Sequence, residues 1–198
     1  MALFKSATRF VLFLSLLGFS SASLSATILA VVSPRNAPDV LSGAHQFLDA
    51  NSEHTVILRT TDQFNGLEDA ARDELVKRAD LFFIGGVFGD SVSLVQGYLK
   101  PESNVTVPSF VAVHSDRRLV FASRIGNASM LANADLDELM QDPPADTNVT
   151  QWSLARLSKY SKYKDWLLSK TFWADRDTDN IDGLFRHLLS LSLSLIHI

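Results

Sequence analysis

The chain has 198 residues, 46% of them hydrophobic, no cysteine and a formal charge of −4. That length supports one domain with a sizeable core. The acidic balance offers no electrostatic basis for nucleic-acid binding, and the lack of cysteine excludes disulfides, thiol nucleophiles and zinc–thiolate centres.

Residues 1–26 read as a signal peptide. Lys5 and Arg9 form a positive start and Phe10–Phe19 (FVLFLSLLGF) an apolar centre. Ser20–Ala26 offers small residues for cleavage after Ala22 or Ala26. The apolar run falls short of the about 20 residues that a membrane helix needs, and a lipid anchor would require a cysteine. The expectation is an exported, periplasmic protein held together by its core alone.

Ala26–Ser33 (ATILAVVS) is expected to form the first buried strand. Pro34–Pro38 turns into a helix with Val40, Leu41, Ala44, Phe47 and Leu48 on its apolar face. His54–Arg59 is a second strand. Thr60–Gly66 reads as a polar loop in which Asn65, with Glu68 three residues on, caps a second helix. Leu67, Ala70, Ala71 and Leu75 are that helix's core face. Leu81–Ile84 is the third strand. The longer stretch Leu81–Asp90 (LFFIGGVFGD) passes from apolar residues through a glycine pair to Gly89-Asp90. This is the pattern of a strand buried on both faces and ended by a sharp turn.

Asp90 is placed to cap a helix with Val92, Val95 and Leu99 inside, stopped by Pro101. Val107–His114 is a fourth strand with proline at its start, and Leu119–Ala122 a short fifth. The alternation predicts an α/β fold over residues 27–142: a flavodoxin-like parallel sheet of four to five strands with helices on both faces. Asn133–Met140 is a short helix and Gln141–Asn148 a loop at the boundary.

Residues 143–192 are expected to be a helical extension that begins the next region. There Gln151–Trp166 sets Arg156, Lys159, Lys162 and Lys164 among Trp152, Leu154, Leu157, Tyr160 and Trp166. This reads as a solvated basic face over an aromatic core stripe. Asp177–Leu191 is a last helix with Ile181, Leu184, Phe185, Leu188 and Leu189 inside. Residues 193–198 (LSLIHI) match a translated sequencing-adapter end and read as a non-native tail, so the natural chain is expected to continue beyond Leu191.

Walker, full dinucleotide, GxSxG and HExxH motifs do not occur. In open α/β sheets ligands sit beyond the carboxyl ends of the strands. The candidates for ligand or partner contact are therefore Gly85, Gly86, Gly89 and Asp90 after the third strand, and His114, Asp116 and Arg117 after the fourth. His114 has no HxH or HxxxH partner, so no metal ligand is assigned, and the catalytic residues are unknown. His45 and His54 read as structural or solvent-facing, and His187 lies on the last helix.

Ala79–Gly89 (ADLFFIGGVFG), Pro108–Ile125 (PSFVAVHSDRRLVFASRI) and Thr171–Leu189 (TFWADRDTDNIDGLFRHLL) resemble, in that order, early segments of the large subunit of cobalt and magnesium chelatases, the CobN/BchH family. The third segment carries Trp173, Asn180, Leu184, Phe185 and Leu188 of its pattern, with Asp and Arg where the family has glycines. The resemblance implies a subunit that binds a tetrapyrrole and inserts or removes a divalent metal, cobalt first among them. Its implied partners are the remaining part of the same large subunit and other chelatase or metal-uptake components. Membrane association would come through the missing carboxyl-terminal part. Cytoplasmic members work with ATPase partners, which an exported member would lack. The family's metal-handling residues lie mainly in its later part, so none is carried onto this chain, which is expected to be inactive alone. The rival expectation is a periplasmic α/β module that binds a small ligand without catalysis.

Overall fold

Five consecutive apolar residues, all buried, leave β1 (Thr27–Val32) with no face for water, and it sits inside the sheet. Its parallel neighbours are β2 (Thr55–Thr60) and β3 (Leu81–Gly85), and β3 pairs in parallel with β4 (Ser109–Val113). Two-residue antiparallel strands, β5 (Arg124–Ile125) and β6 (Ala128–Ser129), complete the order β2-β1-β3-β4-β5-β6. The order is that of flavodoxin-like sheets, with a fifth strand that is very short and reversed. The computed structural model describes residues 25–193. The expected signal peptide, apart from Ser25 and Ala26, and the tail beyond Leu193 lie outside the described residues.

The helices are α1 (Ala37–Ala50), α2 (Thr61–Asn65), α3 (Asp69–Lys77), α4 (Ser91–Leu99) and α5 (Arg117–Phe121), followed by α6 (Leu136–Met140), α7 (Val149–Lys159), α8 (Lys164–Ala174) and α9 (Thr178–Leu193). Strand side chains alternate between two layers of them. Phe82 and its register partner Phe110 face one side, where the Phe64 ring of α2 lies 5.9 Å from Phe82 and 6.4 Å from Tyr98 of α4. Phe83 faces the other side, 5.6 Å from the Trp173 ring of α8. On that side Phe47 of α1 meets Phe185 of α9 at 5.8 Å. The two long helices α1 and α9 approach closely because α1 carries Gly43, where a Cβ would overlap Ile181. One hydrophobic core therefore runs from β1 to α9, through both the 27–142 stretch and the helices after it.

Several local expectations change. Leu119–Ala122 is helical, not a strand: Asp116 caps the turn by accepting the Arg118 N–H at 2.9 Å, and α5 starts there. The outer edge of β4 beyond Phe110 is met by side chains instead. Ser123 Oγ accepts the Ala112 N–H at 3.0 Å, and Trp166 Nε1 donates to the Ala112 carbonyl at 2.9 Å. The capping box belongs to Thr60 and Gln63, which bond each other's backbone N–H groups at the start of α2. Asn65 instead donates to Ser91 Oγ, Glu68 makes no side-chain cap, and Asp90 precedes α4 without capping it.

Two helix faces are rotated from those expected. Leu41 is exposed, and α1 turns Val40, Gly43, Ala44 and Phe47 inward. On α3, Ala70 and Ala71 are exposed, and the buried residues are Val76 and Arg72. The Arg72 guanidinium donates to the Phe64, Asn65 and Leu67 carbonyls and to Tyr98 Oη, and pairs with Asp69. A charge buried with this many acceptors is a clamp between α2, α3 and α4. The expected single helix over Gln151–Trp166 breaks at Tyr160 into α7, a 3-10 turn and α8.

Candidate functional site

The loops that follow β3 and β4 are laced into one carboxyl edge. The Gly86 N–H donates to the Val113 carbonyl at 3.3 Å and the Val87 N–H to Ser115 Oγ at 3.0 Å. The Asp116 N–H returns to the Val87 carbonyl at 2.9 Å. His114 makes this possible by adopting a left-handed backbone, φ 46°, a conformation that histidine tolerates better than most side chains. Its imidazole projects beyond the strand and meets Phe88 edge-on at 6.2 Å, and both side chains are exposed.

The glycines divide into distinct roles. Gly85 gives room to Trp173: a Cβ there would overlap the far edge of the indole six-membered ring. Gly86, at φ 72°, lies against Asn36 and Ser33 from the loop after β1. The crevice between β1 and β3, where the strand order reverses and ligands usually enter such sheets, is thus filled by the chain's own Asn36 and Trp173. Gly89 and Asp90 are exposed, with open space around Gly89.

The space left open lies beyond β4. Two adjoining cavities of about 160 and 280 Å³ share His114, Asp142 and Lys170. Phe88, Met140 and Trp166 close the smaller, and Pro143, Trp152, Trp173 and Arg176 the larger. Lys170 Nζ donates to the carbonyls of Leu139 and Gln141 at 3.0 and 2.7 Å. Burial, reinforced by the Arg156 charge, pushes the Lys170 amine down to about 8. Trp173 Nε1 and Arg176 Nε are both buried without a hydrogen-bond partner. Arg176 lies 5.3 Å above the Trp173 ring and donates to the Trp173 carbonyl.

Of the seven expected contact residues, only His114 lines these cavities. Asp116 turns to Arg118, whose guanidinium bonds both its oxygens and holds its carboxyl below the usual carboxylate range. Arg117 pairs with Asp137 at 2.7 Å in the open. Asp142, Lys170, Trp173 and Arg176 join the site from about 30 to 60 positions further along the chain. One signal for two of them was present in the sequence: Lys170 and Trp173 are three apart and share a helix face.

A larger cavity, about 570 Å³, is at the opposite edge, where Val107 and Pro108 lead into β4. Its charged lining is Lys100 and Arg124. Among the described residues no three His, Asp or Glu side chains gather to hold a metal ion, and no helix is long and apolar enough to cross a membrane. No protein-family model matches the chain, and no curated protein matches it.

Proposed function

We propose that the chain is the amino-terminal region of an exported CobN-like chelatase subunit, which handles a tetrapyrrole while a metal, cobalt foremost, is inserted or removed. It works in the periplasm and is inactive without the rest of the subunit. The observation that supports this reading is that the three resembling segments meet in space. Ala79–Gly89 forms β3 and its turn, Pro108–Ile125 runs from β4 through β5, and Thr171–Leu189 holds the end of α8 and most of α9. Trp173 of the third segment rests on Gly85 and Phe83 of the first. The metal is cargo in this reading, and its transfer is assigned to the remaining part of the subunit.

One feature favours a second reading. The larger carboxyl-edge cavity, about 280 Å³, falls just short of the about 300–1,000 Å³ of small-molecule sites, and the smaller cavity adjoins it through His114, Asp142 and Lys170. That suits a periplasmic α/β module that binds a small ligand without catalysis. Absorbance titration with a metal-free porphyrin, a corrinoid precursor and haem separates the two. The chelatase reading expects a saturable shift of the macrocycle band with at least one of them. Unchanged spectra with all three would sink it and leave the binding module.

A further inference from the structure

A strand at the edge of a sheet presents backbone groups that a second chain can pair. β2 is such an edge, bonded to β1 on one side alone. The Thr55 N–H donates to the Ala26 carbonyl at 2.9 Å, and backbone groups alternate in direction along a strand. Ile57 and Arg59 therefore also face β1, while Val56, Leu58 and Thr60 face outward. The His54 carbonyl, across the trans peptide from the Thr55 N–H, faces outward with them. Part of this row is already used. The Thr60 N–H donates to Gln63 Oε1 at 3.0 Å, the His54 N–H to the Asn51 carbonyl, and the Arg59 guanidinium to the Leu58 carbonyl at 2.8 Å. What stays free among the described residues is the Val56 N–H and carbonyl, the Leu58 N–H and the His54 carbonyl.

That set is its own complement. When two β2 strands run antiparallel about a twofold axis at Val56, the Val56 N–H of each copy meets the Val56 carbonyl of the other. The next such pair sets Leu58 of one copy against His54 of the other, where the Leu58 N–H meets the free His54 carbonyl. The return bond would join the His54 N–H to the Leu58 carbonyl, two groups that each copy satisfies by itself. The same alignment carries the Arg59 of each copy to the exposed Glu53 of the other. A charge on an edge strand normally keeps edges apart, and here it meets its opposite. Val56, Ile57 and Leu58 are only half-buried, so the pairing also covers apolar surface. We infer that β2 is the interface between two copies of this chain, joined antiparallel through Val56 into one continuous sheet. A twofold contact uses the same patch twice and closes, leaving no β2 edge open to a third copy.

This inference rests on β2 and not on the chelatase reading, and no macrocycle enters its test. Sedimentation equilibrium of the purified chain should show a reversible monomer–dimer equilibrium, since so small an interface is of the weak, transient kind. Val56→Pro removes an N–H that β1 does not use, at an edge where proline is tolerated, and should abolish the dimer. Arg59→Glu sets like charges against each other and should weaken the dimer about tenfold, and adding Glu53→Arg should restore it. A circular-dichroism spectrum verifies the fold of Val56→Pro, and the charge variants keep the test alive if proline disrupts the strand. Any of three results overturns the inference. One is a monomer at every concentration up to about 1 mM, beyond which association is too weak to count as specific. The second is a dimer that persists in folded Val56→Pro. The third is an affinity that Arg59→Glu leaves unchanged or that Glu53→Arg does not restore.

Discussion

Ala26 is fully buried, and its N–H donates to His54 Nδ1 at 3.1 Å. Cleavage after Ala26 would remove that residue from the core and put a charged amino group on Thr27. If the chain is exported, cleavage after Ala22 leaves both features intact. Mass spectrometry of the processed protein should therefore find Ser23 at the amino terminus, and a start at Thr27 would refute this. Lys170 yields a prediction in pH. Its folded-state value of about 8 lies below the about 10.4 of an unfolded lysine. Between those values the unfolded chain binds more protons, so this group's contribution to stability rises with pH across that window and is flat below it. Urea midpoints of the wild type relative to Lys170→Met should climb from pH 8 to pH 10. A constant difference would mean that Lys170 is not desolvated.

At the scale of elements, the edge of β4 is the informative case. A strand edge with unpaired groups invites pairing with another chain. β5 reaches only Ser109 and Phe110, and Ala112 is served by Ser123 and by Trp166 of α8. Trp166→Phe keeps most of the apolar packing but leaves the Ala112 carbonyl buried without its donor. Stability should fall by about 1–3 kcal/mol, read as a lower urea midpoint, and aggregation on heating should increase. A midpoint within about 0.5 kcal/mol of wild type would show that water replaces the indole. The Arg72 clamp makes a related point. Its inward position on α3 breaks the apolar pattern of that helix, because the carbonyls ending α2 lie beneath it.

The described residues form three layers, and the last two helices join α1 to make one of them. Phe83 and Phe47 are covered by Trp173 and Phe185, which come from the far end of the chain. A chain ending at Asp142 exposes those rings, and the burial of each large apolar side chain is worth about 1.5–3 kcal/mol. Such a truncation should lose its cooperative urea transition and bind a hydrophobic dye. A sharp transition in the shortened chain would instead show that residues 27–142 fold alone.

Residues 27–113 announce their strands because a parallel strand covered on both faces must be almost wholly apolar; β3 is, and β1 and β4 depart from it only at their first residues, Thr27 and Ser109. The helices α1 and α9 are legible from their 3.6-residue spacing, whereas the break between α7 and α8 at Tyr160 is not. His114 could be placed at a strand's carboxyl end on the same grounds. Local pattern records only that a residue is to be buried, not what will cover it. Gly43 and Arg72 face inward because of Ile181 and the α2 carbonyls, neither of which can be read from the helix that carries them. Asn36 and Trp173 fill the usual ligand crevice, and Lys170, Trp173 and Arg176 line a cavity beside it. Those contacts join positions tens of residues apart, so only the folded chain decides where the open site lies.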